Sequence, residues 1–89
     1  MFVSAKEFLD KTQEFGFDLK EFQSSMWNLT DNPHSLDVAK HEGRLPYIVL
    51  YAETDCISMA FIEQKYLPMA ADDDNTVVDA FELLKHVAH

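Results

Sequence analysis

The chain is poor in the residues that staple, bend or break a backbone. Cys56 is the one cysteine among 89 residues. No disulfide can form within the chain, and a secreted domain this small usually needs such staples. Two glycines and three prolines leave little material for turns, so long regular elements are expected to dominate. Positive charge is scarce as well: 7 Lys and Arg face 16 Asp and Glu, a formal net charge of -9. Such a charge repels nucleic-acid phosphates and anionic membranes. The longest near-continuous apolar stretch, Leu45 to Ala52, is too short to cross a bilayer. Met1 to Glu7 has no basic region followed by an apolar one, so no signal peptide is expected. Together these absences point to a reducing, cytoplasmic setting.

Chemical motifs are missing too. Gly16 and Gly43 stand far apart, so there is no glycine-rich phosphate loop, and no nucleophile elbow or zinc-ligand spacing appears. Cys56 has Glu53 and Asp55 as neighbours, which raise rather than lower a thiol pKa; its simplest reading is a small buried hydrophobe. His34 and His41 read as solvated surface residues. His86 and His89 share helical spacing, but no acid or cysteine lies at a matching local distance. The expectation is a protein with no catalytic residues, no metal and no cofactor.

What is present suits one folded domain over residues 1–89. Its 89 residues suffice for one hydrophobic core and not two, and the 47% of apolar residues is normal for a folded domain. Ser4 and Glu7 form a capping-box pattern, and Ala5, Phe8, Leu9, Thr12 and Phe15 follow at helical spacing up to Gly16. Asp18 to Thr30 predicts a second helix with Leu19, Phe22, Met26 and Leu29 as its stripe. Asn32 or Ser35 can cap a third, with Pro33 in its first turn and Gly43 as its stop. Tyr47 to Ala52 and Cys56 to Ile62 read as strands of a hairpin joined by Glu53-Thr54-Asp55. The first strand is apolar on both faces, so it needs cover on both. A polar loop from Ala70 to Asn75 then leads into a last helix carrying Val77, Ala80, Phe81, Leu84, Val87 and Ala88. The predicted fold class is α+β: three N-terminal helices, a two-stranded antiparallel hairpin and one C-terminal helix.

Net negative charge is concentrated in the second half: each half holds eight acids, but Lys65 and Lys85 are the only Lys or Arg after residue 44. The run Asp72-Asp73-Asp74 suits capping of the last helix. It does not suit an EF-type calcium loop, which needs alternating acids, a central Gly and a terminal Glu. The leading expectation is a non-enzymatic inhibitor of the antitoxin, immunity or phage type. It would dock an acidic face on a basic surface of a nucleic-acid-handling protein, with carboxylates standing where phosphates would sit. Asp72, Asp73, Asp74, Asp79 and Glu82 form the first candidate patch, and Glu53, Asp55 and Glu63 the second. No direct contact with nucleic acid or membrane is expected. One alternative is a homodimer or larger assembly held through an apolar interface at the hairpin or the last helix. Another is a winged-helix-like regulator, on element order alone, acting through protein contacts because its hairpin loop is acidic where a DNA-reading wing is basic.

Overall fold

The computed structural model describes residues 1–16 and 33–87. The helix expected over Asp18 to Thr30, and Ala88 and His89 with it, lie outside the described residues. Helix α1, Ala5–Glu14, starts where Ser4 Oγ accepts the Glu7 N–H at 3.3 Å. Its inward face is Ala5, Phe8 and Thr12, and the buried Thr12 hydroxyl donates to the Leu9 carbonyl at 2.8 Å. Phe15, expected on that face, is exposed. The chain leaves the helix through Gly16, at φ 72°, a left-handed position where a Cβ is costly.

Helix α2, Pro33–His41, begins on its proline and is followed by Gly43, at φ 74°. Strand β1, Arg44–Tyr51, then pairs antiparallel with β2, Cys56–Glu63, in an unbroken register from Arg44 opposite Glu63 to Tyr51 opposite Cys56. A short 3-10 turn, Gln64–Tyr66, runs into α3, Leu67–Ala70. Strand β3, Asn75–Asp79, lies on the other side of β1, and α4, Ala80–Val87, follows directly.

The α+β class holds, but the sheet has three antiparallel strands in the order β2-β1-β3 rather than two. The expected last helix is shorter than its apolar string. Residues 75–79 are strand, with Val77 and Val78 both fully buried on opposite faces. Thr76-Val77-Val78 is a β-branched run that fits a pleat better than a helix. A single helical turn, α3, with Pro68 near its start, precedes the expected loop and ends on its first residue, Ala70.

The two-faced β1 is covered on both sides. On one, Ile48 and Leu50 pack with Val78 against Phe8 of α1 and Ala80 and Leu83 of α4. On the other, Tyr47, Val49 and Val77 are flanked by Leu45, Ala60, Ile62, Leu67 and Ala71. Each fully buried aliphatic or aromatic side chain here contributes about 1.5–3 kcal/mol. The outer edge of β3 is closed by the N-terminal segment. Val3 N–H donates to the Val77 carbonyl at 3.0 Å, and Val77 N–H to the Met1 carbonyl at 2.8 Å. The Phe2 ring meets Tyr47 edge-on, with centroids 6.0 Å apart. No helix among the described residues is long and apolar enough to cross a membrane.

Candidate functional site

Sheet register decides which acids meet. Tyr51 lies opposite Cys56 on one side and opposite Asn75 on the other. The hairpin turn over residues 52–55 and the segment 72–74 therefore leave the sheet at the same end. Glu53, Asp55, Asp72, Asp73 and Asp74 are gathered there, all exposed. None of the five makes an ion pair with a described Lys or Arg side chain.

Two of the five also shape the backbone. Asp72 Oδ1 accepts the N–H groups of Asp74 at 3.0 Å and Asn75 at 2.7 Å, so its carboxylate holds the turn into β3. Asp55 sits at φ 49°, a left-handed position that Asp and Asn tolerate better than most residues. The Met1 ammonium joins this end and donates to the carbonyls of Asp72 and Asn75. Burial lowers its pKa from 8.0, Asp72 and Asp73 oppose that shift, and Lys11 adds to it.

The two expected patches are thus redrawn. Asp79 and Glu82 do not join Asp72–Asp74, because Asp79 is the far end of β3 and Glu82 lies beyond it in α4. Asp79 is the residue that caps α4: its Oδ1 accepts from Phe81 N–H at 2.8 Å and Glu82 N–H at 3.1 Å. The capping role expected of the Asp72–Asp74 run belongs to it instead. Glu63 lies at the opposite end of β2 from Glu53 and Asp55, and pairs with Lys65 at 3.3 Å. Arg44, beside it across the sheet, pairs with Glu42.

Cys56 is exposed, not buried as expected. It stands at the turn end of edge strand β2, where there is no further described strand to cover it. His34 and His41 are exposed. His34 borders a shallow recess of about 260 Å³ with Val38, Ala39, Arg44 and Phe61. Cys56 lies at the far end of β2 from that recess. Arg44 holds its guanidinium 6.0 Å from the Phe61 ring centre, and its Nε is buried without a hydrogen-bond partner. The sequence groups Arg44 with Lys40 as a cation of the third helix; it stands instead at the head of strand β1. Among the described residues, no three His, Cys, Asp or Glu side chains are placed to share a metal ion.

No protein-family model, curated protein or solved structure matches the chain.

Proposed function

We propose that the protein is a non-enzymatic binding protein. It docks the acidic end of its sheet on a basic surface of another protein, of the kind that nucleic-acid-handling proteins present. One observation carries this reading: five exposed carboxylates, from two separate segments, leave the sheet side by side with no described Lys or Arg side chain in an ion pair with them. Clustered charge of one sign steers a complementary partner and sets orientation more than raw affinity. In its sharper form, the carboxylates occupy the partner's phosphate subsites, and the protein inhibits by occupying them.

The test uses a variant with Glu53→Lys, Asp73→Lys and Asp74→Lys. Asp72 and Asp55 stay, because the backbone depends on them. Wild-type protein on a matrix, at low salt, is expected to retain a basic nucleic-acid-binding protein. Moderate salt or an excess of duplex DNA should release it, as screening and competition require. The folded triple variant should retain none. Equal retention by the variant, or indifference to DNA, would sink the proposal.

A further inference from the structure

The sheet has two edges, and the fold treats them differently. The β3 edge is closed by residues 1–3 through two main-chain hydrogen bonds. Beyond β2 there is no described strand. Exposed edges are normally blunted by proline, lysine, a bulge or a short length. Strand β2, Cys-Ile-Ser-Met-Ala-Phe-Ile-Glu, has none of these. It is eight residues long, pairs one for one with β1 throughout, and carries a single charge at its last position. Its outward donors and acceptors have no strand partner among the described residues and suit another extended strand. We propose that the occupant is the same strand of a second copy, paired antiparallel about a twofold axis at Ala60.

Register selects that axis. Ile57, Met59 and Phe61 share the face of Ile48 and Leu50, while Ser58, Ala60 and Ile62 share the face of Val49. Continuous faces require like to meet like, so the axis falls on a residue and not between two. An axis at Met59 sets Asp55 of each copy opposite Glu63 of the other, a repulsion made twice. An axis at Ala60 sets Met59 opposite Phe61, Ser58 opposite Ile62 and Glu63 opposite Ile57. It also brings Asp55 of each copy to the 3-10 turn that carries Lys65 of the other, an attraction made twice. The Lys65 side chain is 68% exposed and, paired at 3.3 Å with Glu63 of its own chain, stands on the rim where Asp55 of the second copy arrives. The small Ala60 faces its own counterpart, where cross-strand neighbours stand closest. Antiparallel pairing also sends the two acidic ends to opposite ends of a six-stranded sheet, so two chains of net charge -9 can join without setting those ends against each other. This interface shares only Asp55 with the acidic end and stands or falls without that end's docking role.

The experiment uses the full chain. Sedimentation over a wide concentration range is expected to show a reversible monomer–dimer equilibrium. In a Cys56→Ser background, Ala60→Cys should form a disulfide-linked dimer under mild oxidation, since facing cross-strand positions suit disulfide geometry. Met59→Cys in the same background should not. Lys65→Glu should weaken the dimer about tenfold, two rim contacts turning from attraction to repulsion, and Asp55→Asn added to it should restore part of the loss. Circular dichroism checks that each variant folds. A chain that stays monomeric at its highest soluble concentration overturns the proposal, even if it captures a strand of another protein. So does a dimer that crosslinks through Met59→Cys and not through Ala60→Cys.

Discussion

Asp79 acts on two neighbours at once. Its carboxylate accepts two N–H groups of the first turn of α4, and its charge bears on the buried Tyr47 phenol across the β1–β3 pair. Asp79→Ala is expected to cost about 1 kcal/mol of unfolding free energy, the usual loss for an N-cap. Asp74→Ala removes an exposed carboxylate and should stay within about 0.5 kcal/mol. Urea denaturation of the two separates them, and equal losses would show that the cap contributes nothing. Tyr47 gives a pH test. Burial, and then Asp79, raise its pKa above 10.0. The folded state therefore keeps a proton that the unfolded chain gives up. Stability from this group is complete below pH 10 and is lost as pH climbs through the folded-state pKa. Tyr47→Phe should flatten the fall in thermal stability above pH 10. It should also remove from the ultraviolet titration a phenol that ionises later than the usual tyrosine range.

At the level of elements, what the sequence revealed was what local chemistry governs. Ser4 and Gly16 bracket α1, Pro33 and Gly43 bracket α2, and a richness in β-branched and aromatic residues marks β1 and β2. The string from Val77 to Leu84 was misread because a buried strand and an amphipathic helix run together there without a glycine or proline between them. Val77 falls by coincidence into the helical spacing of Ala80, Phe81 and Leu84, while Asp79 marks the change of period with its cap. A central strand such as β1 can be recognised from its two apolar faces; which strand lies beside it depends on pairing between distant residues. That limit carried over to the candidate site. Both acidic runs were visible, but their meeting rests on Asn75 lying opposite Tyr51, and the helix reading had removed that pairing. Strand β2 reads as an ordinary hairpin arm; that no described strand lies beyond it follows from β3 and residues 1–3 both lying on the far side of β1.

At the scale of the molecule, the described charges at the ends of the sheet are sorted along the strand direction. Arg44 and Lys65, with their partners Glu42 and Glu63, mark one end of the sheet, and the five gathered carboxylates mark the other. Like charges held together by a fold repel, so the acidic end should lower the stability of the isolated protein, and salt should relieve that strain through screening. Glu53 is the cleanest probe, because it is exposed, lies in the turn and accepts none of the hydrogen bonds that hold the backbone there. Glu53→Lys is expected to leave unfolding free energy unchanged or raise it by about 0.5 kcal/mol at low salt, with the gain fading as salt is added. The same change should weaken capture of a basic partner. Opposite signs for stability and binding are what a surface kept acidic for a partner predicts. Thermal melts of wild type and variant at two salt concentrations, set beside the capture measurement, decide it. A variant that loses stability at low salt would mean that Glu53 meets a positive charge within its own chain, and the acidic end would then be an internal balance rather than a docking face.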